Sequence, residues 1–400
     1  MSAEILIIGA SGFIGSNLLR EFERHSTPVR ASSRHPENIL SNSNSTETTF
    51  LDLEDANTIE KSLEGISTIY YLAHAMGYGK DQFGEKEKIQ AQNLSKYLTD
   101  KHKVIYLGGI AREEGLSEHL QSRKTVGEIL RKSTAKTIEF QASIVIGKGS
   151  ASFEMIRALV YRLPFIVSAE WANSLCQPIA LKDVVSYLIQ ANEKKLRKKH
   201  NVFEIGGSDQ LTYRELLVEF SKHENLFRPE IRLKKFPKDL AVDIMKIIIP
   251  EYVEVGAKLL GSIEIPTTVK DNSALEKFDF IPVSFKEALS LSKDSPLKQV
   301  NLAETLNKLK KHPTLPSYLA GQTLQLSFSY QELKSLDRVI DRFNLREALG
   351  EHSMKLPFVG EIKISNNKER ELLLFAYRPK YFFQALGWSF FERVIREIKK

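Results

Sequence analysis

The stretch Ile5-Leu-Ile-Ile-Gly9-Ala-Ser-Gly12-Phe-Ile-Gly15 constrains this chain more than any other, because three glycines follow an apolar run directly and precede a helix-like pattern, Ser16 to Glu23. One glycine lets the chain turn sharply off a strand, a second lets backbone N–H groups approach a pyrophosphate, and a third lets helix and strand pack closely. The helix then aims the positive end of its dipole at the phosphates. The expectation is a strand–loop–helix unit that cradles a dinucleotide, with Ser11, Phe13 and Ile14 completing the loop around Gly9, Gly12 and Gly15.

The end of the next strand pattern bears on which dinucleotide. An acid about 20 residues beyond the glycines takes the ribose 2′-hydroxyl of NAD, whereas a cation there receives the 2′-phosphate of NADP. This chain reads Val29-Arg-Ala-Ser-Ser33-Arg34-His-Pro36, with no acid at the strand end. NADP(H) is therefore expected, Ser33 bonding the 2′-phosphate and Arg34 clamping it and stacking on adenine. Glu37 is the later acid through which NAD(H), the less favoured cofactor, would be held.

To about residue 225, short β-branched runs alternate with amphipathic stretches such as Glu87 to Leu98 and Glu118 to Leu130, the signature of βαβ units. The strand candidates are Ile5–Ile8, Val29–Ser32, Thr48–Leu51, Ser67–Leu72, Val104–Leu107, Ile138–Ile146 and Val202–Ile205. The fold expected is α/β, a doubly wound parallel Rossmann sheet over 1–225. A small, mostly helical cap over 226–295 follows, cut up by Pro229, Pro237, Pro250, Pro266 and Pro282, and then a C-terminal α+β extension over 296–400. Polar Asp81 to Lys88 reads as a mobile flap, and Phe358–Ile364 with Glu371–Tyr377 as a β-hairpin around Ser365-Asn-Asn-Lys368.

Composition removes several classes. One cysteine, Cys176, in 400 residues excludes a disulfide framework, and with no cationic leader the chain reads as cytoplasmic. The longest apolar run, Ile244 to Leu260, carries Lys246, Pro250, Glu251 and Glu254, so no transmembrane segment is expected. A net charge of +7 over this length is mild, and the basic run Lys194 to Lys199 has no interleaved aromatics, so no nucleic-acid partner is expected. No histidine spacing suggests a metal site.

Beyond the glycines, Leu51-Asp52-Leu53, Tyr70-Tyr-Leu-Ala73-His74, Leu116-Ser-Glu-His119-Leu-Gln-Ser-Arg123, Gly147-Lys-Gly149-Ser-Ala-Ser-Phe153-Glu154, Gln177-Pro-Ile-Ala-Leu-Lys-Asp-Val184 and Phe203-Glu-Ile-Gly-Gly207 complete a pattern. Over residues 3–295 it resembles an atypical short-chain dehydrogenase/reductase of the NmrA-like, complex-I-accessory-subunit-like subgroup. The resemblance implies that Asp52 and Leu53 hold adenine, and that Ala73 and His74 lie along the ribose and nicotinamide. It also implies a Tyr with a Lys four residues on, in the helix after the fifth strand. Here those positions resemble His119 and Arg123 instead, while Tyr97/Lys101 and Tyr330/Lys334 lie elsewhere. His119 would serve as acid and Arg123, which cannot deprotonate, would hold ribose or substrate charge.

Two functions are compatible with these residues. One is an NADP(H)-dependent oxidoreductase acting on a small hydrophobic carbonyl or quinone, which needs little proton-donor power. The other is a non-catalytic NAD(P)H-binding redox sensor or assembly scaffold, suggested by loss of the Tyr and Lys. The aromatic-dense end, Lys380 to Lys400, reads as a helix docked on the hairpin or, alternatively, one that meets a membrane surface or protein partner.

Overall fold

The computed structural model describes residues 3–41, 43–74, 83–112, 116–163, 166–226, 228, 230–233, 236–292 and 313–314, and four strands beyond them. The chain divides into two compact units that interleave along the sequence. One comprises Met1–Glu154, Ser174–Leu211 and Lys258–Asp294, and the other Met155–Asn173, Thr212–Ala257 and Ser295–Lys400.

The first unit is built on a seven-stranded parallel sheet. Its strands are β1 (Ile5–Ile8), β2 (Val29–Ser33), β3 (Thr46–Phe50), β4 (Thr68–Tyr71), β5 (Lys103–Gly109), β6 (Lys136–Ala142) and a last strand, His200–Ile205. Across the sheet the order is His200–Ile205, β6, β5, β4, β1, β2, β3, with every pair parallel. β1 and β4 are buried along their whole length, as expected of central strands covered on both faces. The strand order reverses at β1, so the crevice between the carboxyl ends of β1 and β4 is where such a sheet binds ligands.

Among the helices that flank these strands are α1 (Phe13–Arg24), α2 (Ala56–Leu63), α3 (Phe83–Tyr97) and α4 (Glu118–Lys132). In α1, Gly15, Leu18, Leu19 and Phe22 form one buried stripe at helical spacing. α2 starts on Asp55, whose side chain accepts from Asn57 N at 3.0 Å, and α4 starts on Ser117, whose hydroxyl accepts from Leu120 N at 3.3 Å. The expected flap is the first turn of α3 from Phe83 onwards, and its two leading residues lie outside the described ones. Charge alone suggested a loop, but Glu87, Ala91, Leu94 and Leu98 recur at helical spacing and all four are buried. The expected strand Ile138–Ile146 ends at Ala142, and Val145–Ile146 turns away to pair with Ile179–Ala180.

The second unit holds a six-stranded sheet in the order Ser353–Leu356, Gly360–Ile364, Leu372–Ala376, Leu324–Phe328, Glu230–Leu233, Ile166–Ala169. The helical character expected of residues 226–295 is present in Lys238–Ile248 and Val253–Ser262, but Glu230–Leu233 is a strand with a neighbour on each side. The expected hairpin strands pair antiparallel, with Ile364 opposite Leu372. The expected helix over 380–400, and Tyr330/Lys334, lie outside the described residues.

Candidate functional site

The glycine loop sits at the reversal of strand order. Gly9 leaves β1 with φ of +87°, in the region that favours glycine, and its N–H donates to Ser32 O at 3.1 Å. A Cβ on Gly9 would meet Ala73 N at 2.8 Å, so the residue following Leu72 packs directly against the loop. Gly15 is tighter still, since a Cβ there would land on the Gly9 carbonyl oxygen. Gly12 differs from both. It caps α1, it is exposed, and the nearest protein atom to a Cβ would be Gly9 O at 3.2 Å. The first and third glycines thus fit the loop to the protein, and the second leaves its outer face open.

Around this loop lie the other residues expected at a dinucleotide. Ser11 and Ser33 hydroxyls meet at 2.9 Å, tying the loop to the end of β2, and Ser33 Oγ also accepts from His35 N at 3.1 Å. Arg34 follows on the exposed side, while Glu37 is exposed and pairs with the His35 ring at 3.1 Å. Asp52 closes a turn after β3, accepting from Glu54 N at 3.0 Å, and the neighbouring Leu53 is buried with its carbonyl held by Asn93 of α3 at 3.0 Å. Phe13 and Ile14 begin α1, partly buried.

A buried polar network begins one residue beyond Ala73. His74 Nδ1 lies 2.5 Å from Glu87 Oε1, and the other oxygen of Glu87 accepts from the Ser122 hydroxyl. Arg123 stands with its guanidinium 4.0 Å from Glu87, 5.2 Å from the centroid of the Tyr106 ring, and hydrogen-bonded to Leu107 O at the end of β5. The His119 ring is 5.2 Å from that of His74, at 46°. Burial by itself would raise the Glu87 carboxyl, but the hydrogen bond from His74, the Arg123 charge and Ser122 hold it down at about 2. An ionised carboxylate only accepts, so His74 donates from Nδ1 and carries its acceptor on Nε2. His74 is lowered from its ordinary value, by burial first and then by Arg123, against the pull of Glu87.

His119 is pushed down to about 3, because burial, His74 and Arg123 all disfavour its charged form, so the ring is neutral across ordinary pH. Arg123 is 12% exposed, hydrogen-bonded to the Leu107 carbonyl and close to Glu87. Tyr71 and Tyr106, the phenols beside this network, are both raised by burial, Tyr106 to about 12. Glu87 was missed in the sequence because an acid among lysines reads as surface. The available signal was its place on the buried stripe with Ala91, Leu94 and Leu98.

Comparison with known proteins agrees with this fold. Residues 5–99 match the model of the NAD dependent epimerase/dehydratase family. A curated relative, the chloroplastic divinyl chlorophyllide a 8-vinyl-reductase of Arabidopsis thaliana, is 23% identical over 266 residues, which are 61% of this chain. The match likewise spans only 61% of that protein. Among solved structures, a nucleoside-diphosphate-sugar epimerase from Staphylococcus aureus superposes with a TM-score of 0.58 at 11% identity, covering 73% of this chain and all of that one. A UDP-glucuronic acid 4-epimerase variant from Bacillus cereus, in complex with a fluorinated substrate analogue and NAD, gives 0.56 at 17% identity, covering 72% and 97%. The first unit therefore has the Rossmann fold of NAD-binding proteins, and its N-terminal portion resembles the epimerase/dehydratase type of oxidoreductase.

Proposed function

We propose that this protein is an NADP(H)-dependent oxidoreductase acting on a hydrophobic carbonyl or quinone, within the atypical, NmrA-like part of the short-chain dehydrogenase/reductases. The observation that supports it most is that the Glu87–His74 pair starts one residue past Ala73, the backbone against which Gly9 packs. A proton-handling group thus adjoins the loop suited to a pyrophosphate. In this reading Gly9, Ser11, Gly12, Phe13, Ile14 and Gly15 hold the pyrophosphate, Asp52 and Leu53 the adenine, and Ala73 and His74 the nicotinamide half. When bound, the cofactor supplies or takes up the hydride.

The Bacillus cereus neighbour, solved in complex with NAD, points to NAD(H) instead. We assign NADP(H) because Ser33 and Arg34 stand where the 2′-hydroxyl would need an acid, and Glu37 is engaged with His35. A relative named for reducing a vinyl group favours a reductive activity on a hydrophobic substrate. The test is NADPH oxidation by the purified protein with a panel of quinones, aldehydes and enones. Turnover with at least one acceptor is expected. Micromolar NADPH binding without any turnover would contradict the enzyme reading and favour a second one, a non-catalytic NADP(H)-binding protein, which the engagement of Arg123 with Leu107 O and Glu87 supports.

A further inference from the structure

Resting on that reading, we propose that His74 is the proton-transferring residue of this site and Glu87 its positioning residue, the carboxylate holding the imidazole in the Nδ1–H tautomer so that Nε2 accepts the proton of a substrate hydroxyl. In that step the O–H bond breaks, the N–H bond forms, and the electron pair stays on oxygen. In the reverse direction the imidazolium returns the proton to the oxygen.

Geometry selects His74 over His119. An imidazolium formed on His74 has the Glu87 carboxylate in hydrogen-bond contact at 2.5 Å, whereas one formed on His119 would feel Glu87 only through space, against His74, Arg123 and Lys258. His74 is partly open to solvent, with 24% of its side chain exposed. Glu87 is itself fixed from three directions, being 3% exposed and held by His74, Ser122 and the nearby Arg123. A carboxylate so held cannot rotate away and leave the tautomer to solvent, which is what orientation of a catalytic imidazole requires. Among the described residues, the charged or titratable groups facing His74 are Glu87 from α3, Arg123 and His119 from α4, and Lys258 from the helix Val253–Ser262.

Nitrogen-15 spectra of the full chain read the tautomer without any cofactor or turnover, with the His74 resonances assigned by their loss in His74→Gln. At neutral pH, His74 is expected in the Nδ1–H form, in the Nε2–H form or a mixture in Glu87→Gln, and back in the Nδ1–H form in Glu87→Asp. An Nε2–H tautomer in the wild type, or an unchanged tautomer in Glu87→Gln, overturns the positioning role. For turnover, His74→Gln is expected to lower kcat by roughly 10²–10⁴-fold, a larger loss than any in NADPH affinity. Full kcat in His74→Gln overturns the proton-transfer role. Failure of the wild type to bind NADPH or to turn over any acceptor overturns the functional reading and the proton transfer with it, and the spectra then decide the role of Glu87 alone.

Discussion

At the residue scale, the three glycines do different work, and substitutions separate them. Gly12→Val puts its side chain on the open outer face of the loop, with only Gly9 O near its Cβ at 3.2 Å. It is expected to keep the melting temperature within a few degrees and to lose dinucleotide binding. Gly15→Val drives a methine into the Gly9 carbonyl and is expected to cost about 1–3 kcal/mol or more in stability. Equal NADPH affinity in Gly12→Val and wild type would contradict the loop assignment. Titration supplies a second residue-scale expectation. The unfolded chain protonates a histidine near 6.5 and His119 in the folded protein not until about 3, so stability falls as pH drops through that interval. Glu87, held at about 2 against an ordinary 4.5, adds to the loss in the same direction below pH 4.5. Urea unfolding should show on the order of 2 kcal/mol lost to His119 alone between pH 7 and 5, and His119→Gln should flatten that limb. Identical pH slopes in the two proteins would contradict the buried neutral ring. The turn at Gly9 and the close packing of Gly15 were legible from spacing, whereas the setting of His119 depends on His74, Glu87 and Lys258 from other elements, which no local pattern carries.

Among the elements, β1, the loop and α1 could be read from the sequence because three independent signals coincide there: an apolar run, the glycines and a helical stripe. The start of α3 could not. Its first turn carries Glu85, Lys86, Glu87 and Lys88, and only the buried position of Glu87 on a stripe shared with Ala91 and Leu94 distinguishes it from a charged loop. The helix α4 was placed correctly at Glu118, but the reason for its closeness to the sheet was not visible. Gly127 faces β6, where a Cβ would come within 2.6 Å of Glu139 Oε2, a carboxylate also held by Arg131 and by Gln141 at 2.8 Å. Gly127→Ala is therefore expected to destabilise by about 1–3 kcal/mol through displacement of α4 from β6, despite the better helix propensity of alanine. A variant as stable as wild type in thermal unfolding would show that α4 is not packed this closely.

For the whole molecule, the alternation of strands and helices was enough to give the seven-stranded parallel sheet, since parallel strands need crossover helices. The interleaving of the two units was not accessible in this way, because Glu230–Leu233 pairs with Leu324–Phe328, far along the chain, and Ile166–Ala169 joins the same sheet through Glu230–Leu233. That pairing gives the last quarter of the chain a structural task. Removing residues 296–400 strips the antiparallel partner from Glu230–Leu233 and leaves its edge open, so aggregation at micromolar concentration is expected by size-exclusion chromatography. A monodisperse truncated protein with unchanged melting temperature would contradict the shared sheet.

The central claim, a dinucleotide site built for the 2′-phosphate, is tested most directly by calorimetric titration of NADPH and NADH into the wild type and Arg34→Ala. A charge-assisted contact of about 1.5–3 kcal/mol predicts NADPH bound roughly tenfold to a hundredfold more tightly than NADH by the wild type, with the difference largely lost in Arg34→Ala. Equal affinity of the wild type for the two cofactors, or binding of neither, would contradict it.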